Sequence, residues 1–272
     1  MSDEGRETEM ESSSFVPRPS PLAPRTLRLT LSYDGTNYHG WQRQTHRPSL
    51  QEEMEKAWTS ITGEVIPIIG ASRTDAGVHA LGQVASLWTE SKLSPDGLRL
   101  GLNAKLPDDI AVLDVAEAPA GFNAIMGSRG KRYRYVIQDG RIRDPLGMRF
   151  AWYIRHRLEE APMREAMQHL VGTHDFLSFQ STGSRRVSTT RTMFDVSLER
   201  GRGALQETLI FEIAGDGFLY NMVRTIVGSL VRVGREKRRP AWIQDVINAR
   251  DRRSAGPTAP PQGLFLVKVD YE

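Results

Sequence analysis

Cysteine is absent from the 272 residues of the sequence. This absence excludes disulfide bonds, cysteine-ligated zinc and iron–sulfur sites, and thiol nucleophiles. The six histidines show no metal-ligand spacing, so we expect no metal site. A chain without disulfides suits a reducing compartment, and a cytoplasmic location is therefore expected.

Long apolar segments are also missing. No apolar run approaches about 18 residues, and the mean hydropathy is −0.42, which argues against a membrane-spanning helix. The N-terminal segment is acidic and holds no apolar core, so it does not predict a secretory signal. We expect a protein that does not associate with membranes.

Several catalytic signatures do not occur either. The sequence has no glycine-rich phosphate loop ending in Gly-Lys-Ser/Thr, no dinucleotide fingerprint, no His-Glu-x-x-His pair and no Gly-x-Ser-x-Gly elbow. These absences argue against nucleotide hydrolysis, hydride transfer and serine acyl transfer. A catalytic site in this chain must be built from other groups.

The net charge of +3 is unevenly distributed along the chain. Residues 128–272 carry a net charge of +9, whereas residues 27–127 carry −4 and residues 1–26 carry −2. A basic half in a nearly neutral chain favours a polyanionic partner such as a nucleic acid, but it also fits a solvated arginine-rich surface. Charge alone leaves both interpretations open.

The pattern of apolar residues divides the chain into three parts. Residues 1–26, rich in proline, serine and charge, predict a disordered tail. Residues 27–127 and 128–272 predict two similar α+β lobes, each in the order strand, helix, strand, strand, helix, strand. This order favours a mainly antiparallel sheet in each lobe, with helices on one face.

Individual elements follow from periodicity and capping signals. Helices are expected after a capping box at Ser49 and Glu52, and at Leu98–Leu106, Pro162–Val171, Tyr220–Val233 and Pro240–Ala249. Strands are expected at Leu27–Tyr33, Val65–Ile69, Gln83–Trp88, Ile110–Val115, Arg132–Gln138, Met193–Glu199, Glu207–Ile213 and Leu264–Val269.

The segment Gly70–Ala80 places one Arg, one Asp and one His among small residues. Such a loop lets the backbone approach a ligand closely while a carboxylate points into a cleft. Asp75 would then act as a nucleophile or general base, and Arg73 would bind a phosphate. The alternative is a tight turn in which Asp75 caps backbone amides. His79 fits a packed structural histidine better than an acid–base partner.

The predicted helix near the C-terminus is apolar on almost every side. Arg224 lies between Met222 and Ile226 and should be largely buried. A buried guanidinium needs a carboxylate or phosphate partner, because an unpaired charge in a low-dielectric interior costs several kcal/mol. Asp75 is the candidate partner. The alternative is that the Arg224 side chain extends past short neighbours to the surface.

The segment Lys131–Tyr135 alternates basic and aromatic residues along a predicted strand. Tyr133 and Tyr135 therefore share one face of the strand, and Arg132 and Arg134 share the other. A tyrosine beside basic groups can stack a nucleobase. Tyrosines packed in the core explain the same pattern equally well.

The loop Tyr33–Gln44 crowds aromatic and amide side chains, Gln42 among them, into one short segment. Enzymes that splay a nucleic-acid loop need such groups. Ordinary packed turns contain them too, and the pattern does not separate the two.

Together these segments resemble the tRNA pseudouridine synthase A (TruA) family over nearly everything from Leu27 to Tyr271. The motifs occur in the order expected for the family, and as a set they are specific. They are Tyr33–Gln44, Arg73–Ala80, Asn103 with Leu106 and Pro107, Arg132–Tyr135, His174–Phe176 with Ser178 and Phe179, Phe218–Gly228 and Gly263–Leu266.

The resemblance implies the pseudouridine synthase fold, with an active-site cleft between the two lobes. It implies an isomerase that converts uridine to pseudouridine at positions 38, 39 and 40 in the anticodon stem-loop of tRNA. It also implies a homodimer that binds tRNA across both subunits and works without a metal or an organic cofactor.

The same resemblance assigns roles to individual residues. Asp75 corresponds to the catalytic nucleophile, Tyr133 to the tyrosine against the target base, and Arg224 to the arginine paired with the aspartate. Tyr133 is also a candidate acceptor for the proton on C5 of the base. The expected substrate-binding residues are Arg73, Tyr133, His79 and Gln42.

Two other interpretations compete with this one. A tRNA-binding protein of the same fold would lack catalysis, but Asp75, Tyr133 and Arg224 are all present. A carboxylate-dependent RNA hydrolase would normally need a second acid or a metal cluster, and the sequence shows neither. One departure from the family pattern is Ser72, where glycine is common. Serine would strain the loop at a positive φ, and we expect an extended backbone there instead.

Overall fold

The computed structural model describes residues 24–183, 188–203 and 207–271 of the chain. Most of the predicted N-terminal tail, residues 1–23, lies outside this part. The first strand begins before the expected end of the tail at residue 26, because Arg25 and Thr26 already pair with Thr89 and Trp88. No helix in the described ranges combines the length and the apolar character needed to cross a membrane.

Five α-helices and ten strands make up the described part of the chain. The helices are α1 (Leu50–Thr62), α2 (Pro95–Asn103), α3 (Glu160–Gln168), α4 (Met222–Gly234) and α5 (Trp242–Ala249). The strands are β1 (Arg25–Tyr33), β2 (Ile69–Gly70), β3 (His79–Thr89), β4 (Ile110–Ala118), β5 (Gly130–Asp139), β6 (Trp152–Ile154), β7 (Gly172–Asp175), β8 (Thr190–Arg202), β9 (Glu207–Gly215) and β10 (Leu264–Asp270).

The ten strands form one sheet in the order β4-β1-β3-β10-β5-β9-β8-β7, with β2 paired to β3 and β6 paired to β5. Strand β10, from the end of the chain, joins the two halves: it runs parallel to β3 and antiparallel to β5. The other pairs are antiparallel except for β5 with β6. The predicted α+β class is confirmed, and the two predicted sheets are continuous through β10.

One row of paired residues shows how the two halves share a core. Paired residues on neighbouring strands point to the same face of a sheet. The row crosses β1, β3, β10, β5 and β9 at the buried residues Tyr33, Ala80, Leu266, Tyr133 and Ile213. Side chains from all five helices belong to the same core cluster as these residues, so helices from both halves cover this face of the sheet.

Helix α1 forms where the sequence signals are strongest. Ser49 caps it by accepting a hydrogen bond from the backbone N–H of Glu52, as the capping box predicted. Leu50, Met54 and Trp58 recur at helical spacing and have no exposed surface. Burying each such side chain contributes about 1.5–3 kcal/mol, so packing outweighs the cap in fixing the helix.

Strand β2 and helix α4 are shorter than predicted. The expected strand at Val65–Ile69 is reduced to Ile69–Gly70, and Val65, outside the strand, is 88% exposed. Helix α4 begins at Met222 rather than Tyr220, because Asn221 has a left-handed backbone (φ 59°) that cannot belong to the helix.

Other boundaries differ by a few residues. Strands β6 and β7 were not predicted, because three or four residues are too few to show an alternating pattern. Among the helices, α2 begins at Pro95 and ends at Asn103, α3 begins at Glu160 and ends at Gln168, and α5 begins at Trp242. Several strands are longer than predicted: β3 begins at His79, β4 ends at Ala118, and β8 runs from Thr190 to Arg202.

Candidate active site

A cleft of about 1400 Å³ opens between the two halves of the chain. The loop Gly70–Ala76 lines it from the first half, and the segment Asp216–Arg224 lines it from the second. The last three residues of this second segment are the first turn of α4. Five of the six site residues predicted from the sequence line the cleft, namely Gln42, Arg73, Asp75, Tyr133 and Arg224.

The loop that carries Asp75 connects β2 to β3 and packs against the segment before α1. The backbone N–H of Trp41 donates a hydrogen bond to the carbonyl oxygen of Thr74 at 3.0 Å. At Gly40, a Cβ would lie 2.5 Å from that carbonyl oxygen and 3.1 Å from the carbonyl carbon of Asp75. Gly40 also has a φ of +91°, so both the close approach and the backbone require glycine.

Asp75 and Arg224 face each other across the cleft. The Nη1 atom of Arg224 lies 3.6 Å from Oδ2 of Asp75, whose side chain is 24% exposed. Burial raises the pKa of the Asp75 carboxyl above its usual value, and the positive charge of Arg224 opposes that rise. The ion pair inferred from the sequence is therefore present, although its closest contact is long.

The guanidinium of Arg224 is held by its own neighbours. Nε donates to the backbone oxygen of Ala259 at 2.7 Å, and Nη1 donates to Oδ1 of Asn221 at 2.7 Å. With 15% of its side chain exposed, Arg224 remains inside the protein rather than extending to the surface. The burial of Arg224 that the apolar helix predicted is therefore observed.

Tyr133 lies in the core, as one interpretation of its strand predicted, and it also lines the cleft. Stacking on a nucleobase stays a prediction. Its ring contacts Phe218 edge-on at 5.0 Å between centroids. Its hydroxyl shares a hydrogen bond of 2.7 Å with Oγ of Ser72. The pKa of Tyr133 is raised to about 12. Burial is the largest cause, the Ser72 hydrogen bond opposes the rise, and the negative charge of Asp75 adds to it. Tyr133 is therefore a neutral phenol near pH 7.

Ser72 is fixed by Gln83, a fully buried glutamine on β3. Oε1 of Gln83 accepts from the backbone N–H of Ser72 at 3.1 Å, and Nε2 donates to the Ser72 backbone oxygen at 2.7 Å. The described non-glycine residues with positive φ do not include Ser72, so serine adds no left-handed strain to the loop. Its hydroxyl instead provides the contact to Tyr133.

His79 lies outside the cleft, with 1% of its surface exposed. Its Nδ1 lies 3.1 Å from the backbone nitrogen of Gly35 and 3.0 Å from Oδ1 of Asp34, and its Nε2 lies 3.2 Å from the backbone oxygen of Gln262. Its ring stacks on Phe265 at 4.8 Å. This enclosure argues against the expected substrate contact and fits the packed structural histidine that the sequence also favoured.

Arg73 and Gln42 lie at the cleft surface. Arg73 is exposed and has no ion-pair partner among the residues that the structure describes, so its charge is available to a ligand. Gln42 donates from Nε2 to Oε1 of Gln51 at 2.8 Å. Lys131 and Arg191 add positive charge to the same cleft.

Three residues of the site were not singled out from the sequence for the part they play. They are Ser72, Gln83 and Asn221, each of which binds another site residue through its side chain. A glutamine amid apolar residues on β3 is a signal for a buried hydrogen-bond network. Within the described ranges, no three His, Asp or Glu side chains cluster in a way that would hold a metal ion.

Comparison with known proteins identifies the family. The family model described as tRNA pseudouridine synthase matches residues 30–125 and 166–272. The chain belongs to the tRNA pseudouridine synthase family. It is therefore an isomerase of uridine in tRNA, as the sequence motifs predicted.

Curated relatives of this tRNA pseudouridine synthase match it along nearly its whole length. The protein named tRNA pseudouridine synthase A from Acetivibrio thermocellus is 46% identical over 247 residues, which cover 91% of this chain and all of that one. The protein of the same name from Geotalea uraniireducens is 41% identical with the same coverage. A solved archaeal box H/ACA Nop10–Cbf5 complex, with a TM-score of 0.35 and 11% identity over 84% of this chain and 59% of that one, is too distant to inform the site.

Proposed function

We propose that the chain converts uridine to pseudouridine at positions 38, 39 and 40 of the anticodon stem-loop of tRNA, with Asp75 as nucleophile. The observation that carries this proposal is one cleft that contains a carboxylate, the cation paired with it and a tyrosine beside them. Family membership supports the reaction class, and the motifs shared with the TruA family support the position in tRNA.

The reaction is an isomerisation, so bonds broken and formed must balance. The bond between C1′ of the ribose and N1 of uracil breaks, and a bond between C1′ and C5 forms. The proton on C5 leaves and N1 gains one. The Asp75 carboxylate either adds to C1′ or removes the proton from C2′ to give a glycal, which holds the sugar while the base rotates. Both routes need the ionised carboxylate, which the positive charge of Arg224 favours.

Tyr133 is placed to hold the detached uracil. Its ring is fixed by Phe218 and its hydroxyl by Ser72, so the phenol keeps one position while the base turns. Because the pKa of Tyr133 is raised to about 12, the neutral phenol is a poor base, and Tyr133 can accept the C5 proton only in its phenolate form. The hydroxyl of Ser72 favours that form by donating a hydrogen bond to it. Replacing Tyr133 with Phe should therefore slow loss of the C5 proton.

The cations of the cleft suit an RNA substrate. Arg73 projects from the Asp75 loop with its charge exposed, which fits a phosphate beside the target nucleotide. Gln42 lines the same cleft and fits contact with the displaced base. Assembly as a homodimer and a cytoplasmic location belong to the same proposal, and light scattering of the purified chain tests the first.

Mapping of the product tests the position in tRNA. Unmodified tRNA with uridine at only one of positions 38, 39 or 40 is incubated with the enzyme, treated with carbodiimide and read by primer extension. We expect a stop at each of the three uridines and none on a transcript that lacks all three. A stop only elsewhere in the tRNA would contradict the anticodon assignment. Tight binding of tRNA without any stop would favour a binding protein that lacks catalysis.

A further inference from the structure

The residue before α4 has a backbone conformation that costs energy. Asn221 has φ 59° and ψ 10°, in the left-handed region that side chains other than glycine and asparagine rarely adopt. The other non-glycine residues with positive φ in the described part of the chain are His46, Glu236 and Arg250, and none of these lines the cleft. Strain of this kind persists where surrounding contacts hold it, and it is common at active sites.

The side chain of Asn221 binds the cation that faces the nucleophile. Its Oδ1 accepts from Nη1 of Arg224 at 2.7 Å, and its Nδ2 donates to Oγ of Ser181 at 3.1 Å. The same Nη1 atom lies 3.6 Å from Asp75, beyond normal hydrogen-bond length. Arg224 therefore makes its short contact with the amide and its long contact with the carboxylate.

A guanidinium can pair with a carboxylate through two short, parallel hydrogen bonds. Such a pair would keep Asp75 ionised, but it would also occupy the oxygen lone pairs that must attack C1′. The observed geometry avoids this arrangement, because Nε of Arg224 is bound to Ala259 and Nη1 to Asn221. The charge stays close enough to act on Asp75 while the carboxylate oxygens remain accessible from the cleft.

We propose that Asn221 is a positioning residue that holds Arg224 short of Asp75, so that the carboxylate is ionised but free to attack. The inference rests on the proposed role of Asp75 as nucleophile. The left-handed backbone places the amide where it meets the guanidinium, which explains why strain is kept at this position. Neither the family match nor the sequence motifs assign this part to Asn221.

Asparagine, glycine and aspartate all adopt the left-handed backbone found at position 221, and this gives a matched set of variants. Asn221→Gly keeps the backbone and removes the side chain, so Arg224 is released to close on Asp75. Asn221→Asp keeps the shape and adds a negative charge that competes with Asp75 for Arg224. The two variants should therefore change the pKa of Asp75 in opposite directions, a result that general damage to the fold would not produce.

The other charged and titratable groups that line the cleft around Asp75 are unchanged in wild type and in both variants. Arg73 lies on the same loop, Lys131 and Tyr133 come from β5, Arg191 comes from β8, and Asp216 follows β9. A difference in the Asp75 titration between variants can then be attributed to position 221 and its effect on Arg224.

The test measures the pKa of Asp75 by carboxyl-carbon NMR on the full-length protein, together with kcat and KM. We expect Asn221→Gly to lower the pKa and Asn221→Asp to raise it, each by about 0.5–1 unit. We also expect kcat to fall about fivefold or more in Asn221→Gly, with KM nearly unchanged. Shifts in the same direction, or no shift in either variant, would overturn the proposal.

Failure of the proposed function has a different signature. If wild-type protein binds tRNA but forms no pseudouridine, the role of Asp75 is lost, while the NMR titrations still report whether Asn221 controls the ion pair. If turnover is normal and the titrations do not move, only the inference about Asn221 is wrong.

Discussion

Ser72 and Tyr133, 61 positions apart in the sequence, share a hydrogen bond of 2.7 Å between their side-chain oxygens at the base of the cleft. Ser72 immediately precedes the Arg73–Asp75 segment, so this bond ties the loop of the proposed nucleophile to the tyrosine expected to hold the base. Serine at this position thus supplies a side-chain contact that glycine could not make.

Removing the Ser72 hydroxyl should slow the reaction without weakening tRNA binding. In Ser72→Ala the phenol loses its partner, and we expect kcat to fall about three- to tenfold, which corresponds to one hydrogen bond of about 1 kcal/mol. Steady-state kinetics give kcat and KM. Ser72→Thr retains a hydroxyl and serves as the control, with kcat near that of wild type. An unchanged kcat in Ser72→Ala would show that Tyr133 does not depend on this bond.

An alanine at Gly40 should displace the Asp75 loop. The added Cβ would lie 2.5 Å from the backbone oxygen of Thr74, so loop or strand must move, and activity should fall by more than tenfold. The matched control is Gly63→Ala, because Gly63 also has a positive φ (+79°) but has open space around it. That variant should lose about 1 kcal/mol of stability and keep its activity. Equal loss of activity in both variants would mean that backbone strain, not loop displacement, is responsible.

The pH profile should report the ionisation of Asp75. Burial raises its pKa, so kcat/KM should begin to fall at a higher pH than for an ordinary aspartate as the solution is acidified. In Arg224→Gln the charge that lowers this pKa is gone, and the acidic limb should move to higher pH. Arg232→Gln, an equal charge change at the exposed end of α4, should leave the limb in place. Movement to lower pH in Arg224→Gln would contradict the ion pair.

His79 should make the protein less stable in mild acid. Burial lowers the pKa of its imidazole below the usual value of about 6.5, so the unfolded chain binds this proton more readily than the folded one. Its contribution is complete above about pH 6.5 and is lost as the pH falls from there. Urea unfolding at pH 7 and pH 5.5 should give a smaller difference for His79→Gln than for wild type.

The control for that measurement is His156→Gln, at an exposed histidine. It should show the same pH dependence of unfolding as wild type. If His79→Gln also keeps the full dependence, another group is responsible for the loss of stability in acid.

Local signals account for what the sequence predicted well. Helix α1 carries its cap at Ser49 and its buried stripe within one short segment, so its position follows from neighbouring residues alone. The partnership of Arg224 with Asp75 followed from a different local fact, a charge inside an apolar helix. The class of reaction followed from a set of motifs that no single segment would have supplied.

Relations between distant segments account for what the sequence did not predict. The position of β10 between β3 and β5 depends on pairing across the whole sheet. The contacts of Gln83 with the Ser72 backbone depend on how the loop that follows β2 folds back against β3, the strand that carries Gln83. Nothing in the sequence around Asn221 separates its left-handed backbone from the first turn of a helix. The predicted start of α4 at Tyr220 is therefore too early.

The central claim is that the Asp75 carboxylate performs the isomerisation, and Asp75→Asn tests it most directly. This change keeps the shape of the side chain and removes its charge. Release of tritium from tRNA carrying 5-tritiated uridine is measured for wild type and variant, with tRNA binding measured in parallel. We expect wild-type release, a loss of about three orders of magnitude or more in the variant, and binding within a few-fold of wild type. Release by Asp75→Asn at a rate close to that of wild type would contradict the account.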